Sequence, residues 1–217
     1  LEFRRVLFRS KLQVEIAATQ SLFEYGGDDA IAEGLARRLN RSAFGGAGKV
    51  RYAITPLTAV IVTGEIQDEL FSFSPSRDNT SWSVGPGVEF QPRAIIAGSA
   101  QVGYRRMSGR HDSLPLFSGP TAAVDLSYRL LRSTTISFNA ERDLEFSVSG
   151  SDPYYIAEGM AVAVARRLNR SFEVGFRVRR YTYEYQQLEI RESNASPATT
   201  AANPDRNDVI RGYSFEL

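Results

Sequence analysis

Apolar and polar residues alternate with a period of two along most of this chain. In residues 81–91, one phase carries Trp82, Val84, Pro86, Val88 and Phe90, and the other carries Ser, Gly, Glu and Gln residues. A period of two is typical of β-strands, whose successive side chains point to opposite faces of a sheet. The pattern predicts extended strands, with a local bulge at Pro86 because proline lacks the N–H that a paired strand donates.

The alternation divides the chain into ten extended segments of 10 to 15 residues. They are residues 11–23, 43–54, 58–71, 81–91, 94–106, 119–130, 134–146, 154–166, 171–185 and 208–217. Ordinary soluble strands have about 5 to 6 residues, whereas a tilted strand needs about 9 to 11 to cross a bilayer. The lengths therefore favour an all-β fold, an antiparallel transmembrane β-barrel.

The connections between these segments sort by length. Residues 55–57, 92–93, 131–133 and 167–170 form tight turns, whereas residues 72–80, 107–118 and 186–207 form long loops. Bacterial outer-membrane barrels have short periplasmic turns and longer external loops. Within the excursion before residue 43, Ile31, Leu35 and Leu39 recur at four-residue spacing after Asp28 and Asp29, which favours a short capped helix. A strand over residues 30–38 would also alternate and is the other possibility.

One face of the predicted barrel is charged and the other is apolar. The residues predicted to line a water-filled lumen are Lys49, Arg51, Glu65, Glu69, Glu89, Arg105, Asp125, Arg129, Glu141, Asp143, Arg177 and Arg179. The residues predicted to face lipid are Val62, Trp82, Val88, Phe90, Tyr104, Tyr128, Phe138, Val162 and Phe176. Leu144 and Phe146 continue the apolar phase and are assigned to the same lipid side. The opposed charges predict cross-strand ion pairs, which could be either a selectivity lining or a structural lattice.

Composition narrows the possible functions. Lys and Arg number 26 against 25 Asp and Glu, a net charge of +1, so no basic excess indicates a nucleic-acid partner. No stretch approaches the roughly 18 apolar residues of a membrane-spanning helix, so only strands could cross a bilayer. The chain has no Cys, which removes thiolate metal sites and disulfides.

Catalytic chemistry is not indicated. His111, Asp112 and Ser113 are adjacent in a loop-like stretch and cannot meet as a triad. The acidic row Glu141, Asp143 and Glu145 could bind a divalent cation, but such a row is more often a solvated lumen face. We predict no enzyme activity, no cofactor and no metal site.

The two ends of the chain carry separate expectations. The first ten residues, LEFRRVLFRS, back-translate into a common sequencing-adapter sequence. We therefore predict that residues 1–10 are a translated artefact and that residues 11–217 are one partial barrel domain. The alternation of residues 212–217 continues to the last residue, so we expect further strands and an even total of about 12 to 16.

Several phrases resemble a known family in the same order. They are YAITPLT at 52–58, FSP at 73–75, VGPGVEFQP at 84–92, PLFSG at 115–119, VDLSYRLL at 124–131, AERDLEF at 140–146 and DPYY at 152–155. Over about residues 50–185 the chain resembles the bacterial outer-membrane proteins of the putative β-barrel porin 2 family. The resemblance implies the outer membrane of a Gram-negative bacterium and a link with exopolysaccharide production or export. It transfers no site residues.

Three hypotheses follow. The first is a porin-like or polysaccharide-associated outer-membrane barrel, whose partners are outer-membrane lipid and polysaccharide or small polar solutes. The second is a non-conducting structural barrel whose outer loops bind a partner. The third is a soluble β-sandwich or lipocalin-like binder, which would turn the apolar face inward.

Overall fold

The computed structural model describes residues 2–9, 11–26, 30–111, 114, 116–131, 133–147, 152–169, 171–186 and 206–216. In these residues the chain forms eleven strands, one α-helix and one 3₁₀ helix. The strands are β1 Glu2–Arg9, β2 Leu12–Phe23, β3 Arg41–Thr55, β4 Thr58–Phe71, β5 Asn79–Phe90, β6 Ile96–Gly109, β7 Phe117–Leu130, β8 Thr134–Phe146, β9 Tyr154–Arg167, β10 Glu173–Gln186 and β11 Asn207–Glu216. The 3₁₀ helix is Pro75–Arg77.

All the strands belong to one sheet in chain order. Each strand pairs antiparallel with the next, from β1 at one edge to β11 at the other. This up-and-down order is the one that tight turns between long alternating strands produce, since a two- to five-residue turn can only join antiparallel neighbours. Tight connections lie at one end of the sheet, which we call the turn end, and the opposite end is the loop end.

The predicted short helix is confirmed as α1, Ala30–Leu39, at the loop end. Leu39 is buried, and Glu33 accepts a hydrogen bond from Arg37 one turn later. Its predicted capping residues Asp28 and Asp29 lie outside the described residues. Within the described ranges, no helix has both the length and the apolar character needed to cross a membrane.

The sheet contains one strand more than the ten predicted. In β1, the pairing with β2 runs from Glu2 opposite Thr19 to Arg9 opposite Leu12. A free sheet edge presents unpaired N–H and C=O groups that any alternating segment can bind, so this pairing does not depend on the origin of the segment. The adapter origin of residues 1–10 stays a prediction.

The predicted bulge at Pro86 is wrong. Pro86 pairs with Val62 in an unshifted β4–β5 register. Between β5 and β6, the register before and after Pro86 is the same, and only the pairing of Gly85 and Pro86 is absent. The proline therefore removes ladder hydrogen bonds without adding a residue. A side chain at Gly85 would meet the Val102 carbonyl oxygen at 2.6 Å, so glycine permits the close approach of the two strands.

The sheet is strongly curved. A cavity of about 410 Å³ is lined by residues of every strand from β2 to β8, among them Glu15, Lys49, Glu65, Thr121 and Asp143. Strands lie about 4.8 Å apart, so seven strands in a flat sheet would span about 29 Å and could not border one such cavity. We call the face around this cavity the concave face and the opposite one the convex face.

Candidate functional site

The concave face carries the charged residues. Cross-strand registers place the odd-numbered residues of β2 to β10 on one face, for example Lys49 opposite Thr63 and Ala123 opposite Glu141. All twelve residues predicted to line a lumen lie on this face, from Lys49 on β3 to Arg179 on β10. All nine residues predicted to face lipid lie on the other face. Which face meets water and which meets lipid is part of the proposal below.

Two clusters of ion pairs lie on the concave face. In the first, Glu89 on β5 accepts hydrogen bonds from Lys49 and from Arg51 Nε at 2.9 Å, both on β3. The strand between them presents Ala59, which is fully buried and leaves room for the contact. Long charged side chains on two strands thus meet across the buried Ala59 and Ile61 of the strand between them.

The second cluster is centred on Arg105 of β6. Its guanidinium donates to both carboxylate oxygens of Asp143 on β8, at 3.0 and 3.1 Å. It also donates to Ser81 at 3.2 Å and to Gln67 at 3.4 Å. A guanidinium shared among a carboxylate, a hydroxyl and an amide is held in one orientation, because its planar fork of donors is rigid.

The remaining predicted lumen residues differ in their contacts. Glu69 is buried, where it accepts hydrogen bonds from Arg41 and Asn79. Asp125 accepts one from Asn139 at 2.7 Å. In the described part of the chain, five others are exposed and take part in no ion pair, namely Glu65, Arg129, Glu141, Arg177 and Arg179. Paired and unpaired charges therefore alternate along the lining from β3 to β10.

Small residues on the concave face are the main feature that the charge pattern did not predict. Ala17, Ala47, Gly103 and Ala123 line the 410 Å³ cavity, and Gly159 and Ala161 line a second cavity of about 270 Å³. A larger side chain at these positions would fill the space that the curvature encloses. The sequence signal was available, because glycine and alanine recur in the polar phase of the alternation, as at Gly85 and Gly87.

The convex face has an apolar belt that ends in charges. Val62, Val162 and Phe176 are 45, 46 and 50% exposed on it. Toward the loop end the same phase becomes charged at Asp68, Arg106, Arg142, Glu158 and Arg180. Along β4, the ten residue-to-residue steps from Thr58 to Asp68 rise about 33 Å, or about 23 Å when tilted by 45°, close to the roughly 25 Å apolar band of membrane barrels.

Charges and aromatics mark the loop-end boundary of this belt. Asp68 accepts a hydrogen bond from Arg110 at 2.6 Å, and Glu158 accepts one from Arg142 at 2.6 Å. Just inside them, the rings of Trp82 and Tyr104 lie 6.0 Å apart and are both about half exposed. Aromatic side chains followed by charges are the sequence of groups expected where hydrocarbon gives way to water.

Two other kinds of site considered from the sequence are a metal site on the acidic row of the concave face and a triad at His111. The described residues contain no cluster of three or more His, Asp and Glu side chains that could hold a metal ion. Within the acidic row, Asp143 is bound by Arg105, and Glu145 accepts a hydrogen bond from Tyr155 at 2.6 Å. His111 is exposed, and Asp112 and Ser113 lie outside the described residues.

A family model confirms the resemblance. The model of the family described as putative beta-barrel porin 2 matches residues 8–202, nearly the whole chain. The chain belongs to this family. The match to the porin family extends beyond the resembling phrases on both sides, and membership together with the antiparallel sheet confirms the predicted all-β barrel fold. The family indicates a membrane-embedded barrel. No curated protein and no solved structure matches the chain.

Proposed function

We propose that this chain forms a porin-like barrel of the outer membrane, in which the concave face is a water-filled path for small polar solutes. The observation that carries the proposal is the contrast between the two faces of the sheet. The concave face combines charged side chains with small residues around a 410 Å³ cavity, and the convex face exposes apolar side chains along a belt of membrane thickness.

The soluble alternative accounts less well for this arrangement. A soluble barrel or sandwich turns its apolar face inward and its charges to solvent. Here the large apolar side chains of the convex face, such as Ile66 and Val102, are about 60% exposed, whereas Arg51 and Arg105 are mostly covered on the concave face. Lipid would solvate the exposed apolar side chains, and a hydrated lumen would solvate the arginines.

A passive pore needs no catalytic residues or cofactor, and the proposal includes none. The short turns would face the periplasm and the long loops the exterior, as in bacterial outer-membrane barrels. The exopolysaccharide link that the family resemblance implied stays a prediction. In this proposal polysaccharide is one candidate solute beside small polar molecules.

Planar-bilayer recording of the refolded full-length protein tests the proposal. We expect stable conductance steps, and Ala47→Trp on the concave face should lower the step size because it fills the cavity. The matched control is Val50→Trp, which changes the convex face of the same strand and should leave the step size unchanged. Heat-modifiable migration on a gel would show that each variant is folded.

One observation favours a second candidate, a barrel that conducts nothing and serves a structural or surface-interaction role. The loop end of the β8–β9 hairpin packs on the concave face, where it makes an aromatic contact with β4. A protein that folds in the bilayer but gives no steps, either in the native form or in variants that widen the path on the concave face, would select this candidate.

A further inference from the structure

The loop end of the β8–β9 hairpin leaves the wall of the sheet. β8 pairs with β7 only as far as Arg142 opposite Ala122, although β7 continues to Phe117. Beyond that point β8 stays paired with β9 alone, up to Phe146 opposite Tyr154. We call residues 143–147 and 152–157 the inward tip.

The inward tip crosses the concave face. The rings of Phe146 on β8 and Phe71 on β4 lie 5.3 Å apart at an interplanar angle of 70°. Four strand spacings of about 4.8 Å would separate these strands by about 19 Å within a sheet. The guanidinium of Arg41 on β3 also lies 5.2 Å from the Phe146 ring and 4.1 Å from the Phe23 ring. Contacts with β3 and β4 therefore place the tip over the enclosed space, and Arg41 links it to Phe23 on β2.

Buried contacts hold the tip in place. Leu144, Tyr154 and Ile156 of the tip form one buried cluster with Met107, Leu114 and Phe117 of β6, the following loop and β7. Arg77 of the 3₁₀ helix donates to the Ser147 carbonyl oxygen at 2.8 Å. Burial lowers the pKa of Arg77, and the like charge of Arg38 lowers it further. The tip is thus packed on two sides by loop-end elements.

The other side of the tip is polar. Asp143 and Glu145 share the concave phase and contact Arg105 and Tyr155. A cavity of about 330 Å³ is lined by Glu145, Leu144 and Phe146 of the tip together with Arg41, Glu69 and Arg105. Guanidinium and carboxylate groups thus face the same space, so this lining is not the ring of one-signed charges that selects ions by the sign of their charge.

We propose that the inward tip is the constriction of the pore, and that Arg105 and Asp143 are its solute-facing charge pair, which favours small dipolar solutes that are neutral overall. The inference rests on the proposed function, because a constriction has meaning only in a conducting barrel. It adds the element that limits passage and the class of solute that passes.

Single-channel conductance of Phe146→Ala tests the tip directly, with Phe44→Ala as the matched control. Phe44 lies on the convex face of β3 and is 46% exposed. Loss of the Phe146 ring should free the tip and raise the conductance about twofold or more, because the narrowest segment dominates pore resistance. Phe44→Ala should leave it unchanged. If Phe146→Ala fails to fold, Arg77→Ala removes the Ser147 contact instead.

A second readout does not require conduction. The chain has no native cysteine, so Ala123→Cys below the tip and Ser108→Cys on the convex side of the loop end can be labelled separately. With a charged, membrane-impermeant maleimide added from the loop side, Phe146→Ala should speed labelling at position 123 about tenfold, since labelling follows the population of the open form. Labelling at position 108 should not change.

The outcomes separate the two proposals. Conductance steps that are equal in the native protein and in folded Phe146→Ala would overturn the constriction and leave the pore intact. A silent native protein that conducts after Phe146→Ala supports the constriction. If no variant conducts, the proposed pore fails, and the labelling rate at position 123 decides whether the tip covers the enclosed space.

Discussion

Two phenylalanines on β8 occupy the same phase of one strand and have opposite surroundings. Phe138 lies opposite Val162 in the apolar belt of the convex face, whereas Phe146 packs against Phe71 over the concave face. The assignment of Leu144 and Phe146 to the lipid side is therefore wrong. Their phase is unchanged, but the strand that carries them leaves β7 after Arg142 and bends over the enclosed space.

The difference shows where the period-two alternation no longer predicts the surroundings of a side chain. In the belt, β8 is paired on both sides, so the sheet fixes which way each side chain points. Beyond Arg142 the strand is paired only with β9, and the hairpin is free to turn as a unit. An apolar side chain past the charged boundary lies outside the apolar belt, and here it is buried against side chains of β4, β6 and β7 instead.

The largest expected effect is that of Leu144→Ala, for which Leu130→Ala is the comparison. Leu144 is 6% exposed in the tip cluster and Leu130 is 38% exposed at the turn end. Leu144→Ala should lower the free energy of opening of the tip by about 2 to 5 kcal/mol, the usual cost of a buried leucine. Hydrogen exchange of the tip amides measures it. Equal effects of Leu144→Ala and Leu130→Ala would remove the distinction between the two regions.

An arginine substitution on each face tests the difference between the convex and concave faces. Val62→Arg should lower the free energy of unfolding from lipid vesicles by about 2 to 4 kcal/mol, because a charge at mid-bilayer is costly. Ala47→Arg on the concave face lies opposite Glu65, so its cost should be about 1 kcal/mol or less. Urea titration of the vesicle-inserted protein compares them, and the reverse order would exchange the lipid and lumen faces.

The smallest effect on stability concerns the charge pair at the tip. Asp143 is 53% exposed, so Asp143→Asn should cost only about 0.2 to 1 kcal/mol. It leaves the Arg105 guanidinium without its carboxylate partner, which should move the reversal potential in a salt gradient toward anion selectivity. Asp125→Asn removes a charge that contacts Asn139 rather than an arginine, and it should shift the potential less. Equal shifts would argue against a special place for Asp143.

Much of the architecture was readable from the chain. Strand bounds such as 58–71 and 134–146 and the separation of Lys49 from Val50 by face follow from local periodicity, and the same periodicity favoured a short helix before residue 43. The specific ion pairs did not follow. Arg51 pairs with Glu89 and Arg105 with Asp143, each across an intervening strand, and only the curvature of the sheet decides which side chains reach each other.

The sequence contains a signal for the inward tip, but the signal can be interpreted only once the fold is known. On β8 and β9 the apolar phase stops at Arg142 and Glu158 and then resumes at Leu144 and Ile156. Apolar residues that resume past a charged boundary require a cover other than lipid. The side chains that cover them are Phe71, Met107 and Phe117, and the longest of these contacts, Phe71 with Phe146, joins residues 75 apart in sequence.

By itself the sequence determined the strands, their two faces and the family, because a period of two and the turn residues act over a few neighbouring positions. The tertiary structure alone decided how far the sheet curves, which charges pair and where the β8–β9 hairpin points. These features depend on contacts between strands that are distant in the chain, and no local pattern specifies the distance between such strands.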